Sequence, residues 1–450
     1  MSDLPANLEL EAQVLGMMLA HNETIDTVAD LLIVEDFSEP LHQRIYASAL
    51  SQHSTKGVTN PATLHALFKD DPAIKELGGA AYLMQLTANQ VGLLDPKGLA
   101  SQLADTGRRR RIVEGLKQAI EAASDAHCPI GEAIGFADDA ISEKVVQAVR
   151  DQSVEDCFDQ MLAGYGQQER GVTCGRIKCL DELMGGLKPG SMNVLAARPS
   201  MGKTAVALSY AIGAAEQGHG VLLVSLEMPG DQLAQRMAAD LLYDTLRVPY
   251  ERIRDGRLDQ HERQAIMRAK QKVGELPLRI ATGSSLAVGR LASLIRRTKR
   301  RFKAHGGSLD LVMVDYLQLL RPDVRGNRYE AVTEISMALK AMAMANDVAM
   351  IALAQLSRAV EQREDKRPML SDLRESGQLE QDADLVLFLL REEYYLRKEE
   401  PPKNDDKWAD WQLALGAVRD QIKFIVAKRR NGVEGVAVGQ FYGEFQAVRG

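Results

Sequence analysis

The stretch AARPSMGKTA, running from Ala196 to Ala205, decides how this chain is read. It sits between the apolar run SMNVLAA and the segment TAVALSYAIGAAEQ, which spaces its apolar residues as a helix does, so the order is strand, loop, helix. In the pattern GxxxxGK[ST] that context makes a phosphate cradle: backbone N–H groups surround the phosphates, the lysine reaches the outer ones, and the hydroxyl meets Mg²⁺. Gly202, Lys203 and Thr204 match, and Ala197 stands where the first glycine usually is. A methyl group is tolerable at that first position if the backbone keeps an ordinary φ, whereas close phosphate approach leaves little room at Gly202. The expected cradle is Ser200, Met201, Gly202, Lys203, Thr204 and Ala205.

Working outward, the runs VLLVSLE, LRIATG, LDLVMVDYLQLL, AMIALAQLS, DLVLFLL and QIKFIVAKR read as further strands. Runs so uniformly apolar suit a parallel sheet covered on both faces, hence a doubly wound α/β domain. Asn431-Gly432 after the last of them is a two-residue hairpin signal. Ligands of such sheets gather at the carboxyl ends of the strands. Asp315 ends LVMV and is placed to hold Mg²⁺ together with Thr204; Glu227 ends VLLVSLE and is placed to activate water; Gln355 ends AMIALAQ and is placed to sense the γ-phosphate.

The amino-terminal segments LELEAQVLGMMLA, LHQRIYASAL, PATLHALF and AAYLMQL carry helical periodicity and no strand signal, giving an all-helical domain over 1–128. Residues 129–170 read as a linker with a docking helix, and 171–450 as the α/β domain. A net charge of -7 excludes a protein that coats nucleic acid through bulk electrostatics, so any such contact must be local. Four scattered cysteines without a CxxC pair point to neither zinc nor disulfides and fit a reducing compartment. With no signal-like amino terminus and no apolar run of membrane-spanning length, the expectation is a soluble, cytoplasmic protein. Two basic runs are tempting as nucleic-acid patches, but a solvated helix face or a subunit contact is the commoner explanation for Arg108 to Arg111, and a solvated helix face for RRTKRRFK from Arg296. The methionines of SMALKAMAMANDVAM are expected in the core.

Taken in order, AARPSMGKTA, VSLEMP, MVDYLQLL, ALAQLSR, SDLRESGQLEQDAD and AKRRNG resemble the bacterial replicative DNA helicases of the DnaB-like family. LELEAQVLG, DFSEPLHQRIY and GGAAYL resemble that family's helical domain. The resemblance implies a RecA-like ATPase fold and a homohexameric ring that burns ATP with Mg²⁺ between subunits and moves 5′ to 3′ on single-stranded DNA. It also implies a primase and a helicase loader as partners. Under it, Lys203 and Thr204 bind phosphates and metal, Asp315 holds the metal, Glu227 is the catalytic base and Gln355 the sensor. Lys428 and Arg430 match the element that reaches the neighbouring subunit's γ-phosphate, and Arg374, Glu375 and Gly377 match the DNA-contacting loop.

The chain departs from the family in two places: CGR at Cys174 to Arg176 replaces a stretch that usually carries an aromatic, and EEPPKNDDKWADWQLALGAVRD is longer than usual. A RecA-type recombination motor would share the phosphate loop and Asp315 without requiring the helical amino-terminal domain. A ring that serves only as a platform for primase or loader would not need Lys203, Glu227 and Asp315 intact.

Overall fold

The computed structural model describes residues 4–69, 71–88, 95–125, 127–128, 133, 135–137, 140, 153–164, 171–321, 328–373, 377–430 and 432–450. The chain divides into two compact units, 1–166 and 167–450. Arg374, Glu375 and Asn431 lie outside the described residues.

In the first unit the regular elements among the described residues are all helical. Proline opens four of the helices, Pro40–Lys56, Pro61–Phe68, Pro72–Glu76 and Pro96–Ser124, where its missing N–H costs nothing. Asn60, Asp71 and Asp95 cap three of them through their side chains. The core gathers Val14, Met18, Ile25, Phe37, Ile45, Tyr46, Leu64 and Leu83. Within it the three family-like stretches meet in one hydrogen-bond network. The fully buried Glu11 accepts from the Ser38 amide at 2.6 Å and from His42 Nδ1 at 2.7 Å, and His42 Nε2 lies 2.8 Å from the Tyr82 hydroxyl. A buried carboxylate persists only when satisfied in this way. The arginine run is less solvated than its composition suggests. Arg110 is buried and donates to the carbonyls of Pro5, Glu35 and Asp36, while Arg111 pairs with Asp36.

In the second unit the strands are β1 (Met192–Ala197), β2 (Val221–Ser225), β3 (Leu278–Thr282), β4 (Leu286–Ala287), β5 (Leu311–Asp315), β6 (Leu320–Arg321), β7 (Ala349–Gln355), β8 (Leu385–Leu390), β9 (Gln421–Arg429), β10 (Gly435–Tyr442) and β11 (Ala447–Arg449). The main sheet has the order β11-β10-β9-β8-β1-β7-β5-β2-β3. From β8 to β3 all pairings are parallel. Successive residues of β1 feed opposite cores, Leu195 and Ala197 into one, Val194 and Ala196 into the other. Burial on both faces is why the run is apolar throughout.

Three expectations need correction. The sheet is mixed, because β9, β10 and β11 are antiparallel. The signal was present in Gln421-Ile422-Lys423-Phe424, whose alternating burial is that of a half-solvated strand. The hairpin is also wider than a two-residue turn: among the described residues β9–β10 pairing stops at Val426 opposite Gly435, and beyond it β9 pairs with β8. Finally, LDLVMVDYLQLL is not one strand, since β5 ends at Asp315 and Leu320–Arg321 pairs with β4 in a separate two-stranded sheet. Of the methionines, Met342 and Met350 are buried, whereas Met337 and Met344 are exposed. On the helix Val288–Ala304, Leu291 and Ile295 face the core, and Arg297, Arg301 and Lys303 are exposed.

The unusual Cys174–Arg176 stretch has a structural task. Arg176 makes a two-pronged contact with Glu216 at 2.6 and 2.9 Å and reaches the buried Asp240 at 3.3 Å; Lys272 joins Glu216 at 2.8 Å. Burial raises the Glu216 carboxyl, but hydrogen bonds from Arg176 and Lys272 outweigh it and hold the group at about 2. A depressed folded value stabilises the fold above the ordinary 4.5 and loses that contribution as pH falls toward about 2. Between those limits the thermal midpoint of the wild type is expected to fall more steeply with acid than that of Glu216→Gln. Parallel pH profiles would remove this cluster from the acid response.

Candidate nucleotide site

The loop after β1 answers the question that Ala197 raises. Ala197 is the last residue of the strand, buried, in register with Gln355, and its carbonyl accepts from the Leu356 amide at 3.2 Å. It is part of the sheet and needs no glycine. Gly202 differs: it has φ +92°, caps the helix Lys203–Glu216, and a Cβ there would lie 2.7 Å from the Phe441 ring. Ser200 also has positive φ, at +68°, and the loop leads directly into a helix amino terminus, whose free N–H groups favour an anion.

Around this loop lies a cavity of about 470 Å³ lined by Ser200, Gly202, Lys203, Thr204, Ala205, Glu227 and Gln355, all expected from the sequence. Met201 belongs to the loop but is buried in the core. Asp315 completes the group: its Oδ2 accepts from the Thr204 hydroxyl at 3.0 Å, and its Oδ1 lies 3.5 Å from the Lys203 ammonium. The Leu226 amide donates to the Asp315 carbonyl at 2.7 Å, which ties the ends of β2 and β5 together and sets Glu227 beside the pair. Burial lowers the Lys203 pKa, and the carboxylates of Asp315 and Glu227 partly restore it.

Asp315 Oδ1 is buried and, apart from the Lys203 ammonium at 3.5 Å, has no partner among the described residues, so it can still accept a closer donor or cation. Among the described residues no three His, Cys, Asp or Glu side chains converge into a cage. One carboxylate, one hydroxyl and phosphate oxygens are a set that suits Mg²⁺, which keeps several waters and needs few protein ligands.

Among the lining residues that sequence reasoning missed, Arg236, Arg391 and Phe441 bear most on the chemistry. Arg391 stacks on the Phe441 ring at 4.1 Å and donates to the Ser200 carbonyl at 3.3 Å. The Nε atoms of Arg236 and Arg391 are both buried with no hydrogen bond among the described residues, as in a cavity built for a polyanion. Arg391 directly follows the apolar run of β8, so the strand-end logic that selects Asp315 applied to it as well. Nothing in the local sequence marks Arg236 or Phe441, which reach the cavity through tertiary packing.

Lys428 and Arg430 are elsewhere. Arg429 is in register with Leu385 at the start of β8, and the Arg430 amide donates to the Asp384 carbonyl at 2.9 Å. They sit at the amino edge of the sheet, while the phosphate loop leaves the carboxyl edge; six residues of β1 separate the edges by roughly 16–20 Å at about 3.3 Å per residue. Gly377 opens the helix Gly377–Asp382 and is exposed.

Two family models match the chain: the DnaB-like helicase C terminal domain over 171–449 and the DnaB-like helicase N terminal domain over 3–105. The replicative DNA helicase DnaB of Rickettsia felis is 33% identical over 456 residues, covering 96% of this chain and 90% of the relative. That of Geobacillus stearothermophilus is 32% identical over 455 residues, covering 98% and 94%. Among solved structures, a DnaB-like replicative helicase described with its interactions with primase superposes with TM-score 0.69 at 30% identity, over 98% of this chain and 99% of that one. The ATPase domain of G40P gives 0.57 at 33% identity over 67% and 99%.

The geometry separates two kinds of small residue in the loop. Ala197→Gly is expected to leave nucleotide affinity within about twofold, because the position is ordinary strand. Gly202→Ala is expected to weaken it at least about tenfold, since a strained φ costs roughly 1–3 kcal/mol before the clash with Phe441 is counted. Titration of both variants with a fluorescent nucleotide checks this; equal losses would contradict it. With helical amino-terminal unit, mixed sheet, phosphate loop and matched relatives in agreement, the chain belongs to the DnaB-like family of replicative DNA helicases.

Proposed function

We propose that this helicase works as a homohexameric ring with ATP bound between subunits, each site combining the β1 loop of one subunit with Lys428 and Arg430 of the next. The observation that carries this reading is the separation of the two halves: Lys203, Thr204, Asp315, Glu227 and Gln355 cluster at the carboxyl edge, whereas Lys428 and Arg430 stand at the amino edge of the same sheet. Their distance from their own phosphate loop supports a role at another's.

In this reading the loop amides and Lys203 hold the β and γ phosphates, and Thr204 and Asp315 hold Mg²⁺, which neutralises charge on the phosphates. Glu227 orients and deprotonates the attacking water, Gln355 reports loss of the γ-phosphate, and Arg430 delivers positive charge to the transferring phosphoryl oxygens. Arg236 and Arg391 add charge to the cavity wall. Because hydrolysis requires the neighbour, each turnover is felt at a subunit interface. The exposed apolar face of the helix Val154–Gly164, formed by Val154, Phe158, Met161 and Leu162, supports assembly, since such a stripe wants a partner.

Single-stranded DNA is the proposed track, held by Arg374, Glu375 and Gly377 through contacts to the backbone that read no bases. Copies of the Arg374 guanidinium and of the loop's backbone N–H groups converging on one channel give a local positive field that a net charge of -7 need not cancel. Primase is a proposed partner because the solved relative is described with its interactions with primase. A loader is proposed from the family resemblance. The match of the amino-terminal domain disfavours a recombination motor, and an assembled phosphate site disfavours an inert platform.

On a fork carrying a 5′ single-stranded tail, the wild type is expected to unwind duplex with DNA-stimulated ATP turnover, and Lys203→Ala to do neither. Strand exchange without unwinding would support a recombination motor, and absent turnover a platform. Arg430→Ala is expected to bind ATP with near-normal affinity while its turnover falls by about a hundredfold or more; normal turnover would remove it from the site.

A further inference from the structure

The segment that carries the two distant cations is held in a specific way. Between Val386 and Leu387 the β8–β9 register shifts, because Val386 faces Lys428 while Leu387 faces Val426, leaving Ala427 as the extra residue of a bulge. Bulges bend a strand and re-aim the side chains beyond them. Past it, Lys428 donates to the carbonyls of Glu380 at 2.5 Å and Gln381 at 3.2 Å. Arg430 is gripped three times: its amide donates to the Asp384 carbonyl at 2.9 Å, Nη1 to the Asp384 carboxylate at 3.3 Å, and Nη2 to the Gln381 carbonyl at 2.6 Å. Its side chain stays 46% exposed.

Asp384 is itself immobilised. Its Oδ2 accepts from the Met192 amide at 2.8 Å and from Lys340 at 2.6 Å, and its own amide donates to the Met192 carbonyl at 2.8 Å. One carboxylate therefore joins the start of β1, the helix Arg328–Asn346 and the Arg430 guanidinium. A guanidinium is a rigid fork of five N–H donors. A long side chain at a strand end would otherwise sample many rotamers, and fixing two prongs points the remaining donors in one direction.

We propose that Asp384, held by Lys340 and the Met192 amide, is the positioning residue for Arg430, presetting its guanidinium so that the free N–H groups meet the nucleotide of the neighbouring subunit. This rests on the reading of Arg430 as a cation acting in trans. The other acceptors for Lys428 and Arg430, the carbonyls of Glu380 and Gln381, lie near the carboxyl end of the helix that Gly377 opens.

The test uses full-length protein. Asp384→Asn keeps the shape and an acceptor for Met192 but removes the charge that fixes Arg430. DNA-stimulated kcat is expected to fall about tenfold, as small misplacements of a catalytic group do, with KM for ATP changed by less than about twofold. The assembly size should match wild type by light scattering. In an Arg430→Ala background the same substitution should cause no further loss of kcat, because its effect passes through Arg430. Unchanged kcat for Asp384→Asn, or a loss that persists in the Arg430→Ala background, overturns the proposal. If Arg430→Ala alone turns over normally, the reading in trans fails instead. Should Asp384→Asn not fold, Lys340→Met leaves every direct contact of Arg430 in place; a smaller loss of kcat that vanishes in the Arg430→Ala background supports the proposal, and no loss overturns it.

Discussion

The site depends on one buried ion pair, the Lys203 ammonium 3.5 Å from the Asp315 carboxylate, with the Thr204 hydroxyl on the other carboxylate oxygen. Burying both charges is costly unless each is compensated, and breaking such a pair from one side leaves an orphan charge. Lys203 opens the helix that follows β1 and Asp315 ends β5, strands separated in the sheet by β7, so the pair exists only when the parallel core is in register. That requirement makes the fold and the phosphate site one problem. The apolar residues that fill both faces of the sheet also hold a lysine and an aspartate where phosphate and metal can insert between them.

In the proposed ring a single chain holds only part of the chemistry. The parallel half of the sheet delivers Lys203, Thr204, Asp315, Glu227 and Gln355 to one edge; the antiparallel addition delivers Lys428 and Arg430 to the other. β9 brings this about by running against β8, so that its end lies beside the beginning of its neighbour. The same addition supplies Phe441, whose ring closes over Gly202 and carries Arg391. The carboxyl-terminal strands thus contribute to the wall of their own subunit's nucleotide cavity and, in the proposed ring, to that of a neighbour.

Much of this was legible in the sequence because it is local. Strand, loop and helix around Ala196 to Ala205 announce themselves by periodicity, and residues that end apolar runs land at the sheet edge by geometry alone. What escaped was set by distance along the chain. Arg110 looked like one member of a solvated basic run, and only folding brings the carbonyls of Pro5, Glu35 and Asp36 to its guanidinium. Arg236 and Phe441 reach the cavity from a helix and a strand whose local patterns are unremarkable. The direction of β9 was visible in the alternation of Gln421-Ile422-Lys423-Phe424, but the apolar run after it argued for a buried parallel strand.

The central claim, that the two halves of the site come from different subunits, has a direct test in mixed assemblies. Lys203→Ala chains lack a working phosphate loop but keep Arg430, and Arg430→Ala chains have the reverse defect. Each alone should be nearly inactive, while rings reassembled from equal amounts of both should regain DNA-stimulated ATP turnover, because some interfaces then join an intact loop to an intact arginine. Mixed rings, verified by mass, that remain as inactive as their parents would contradict the account.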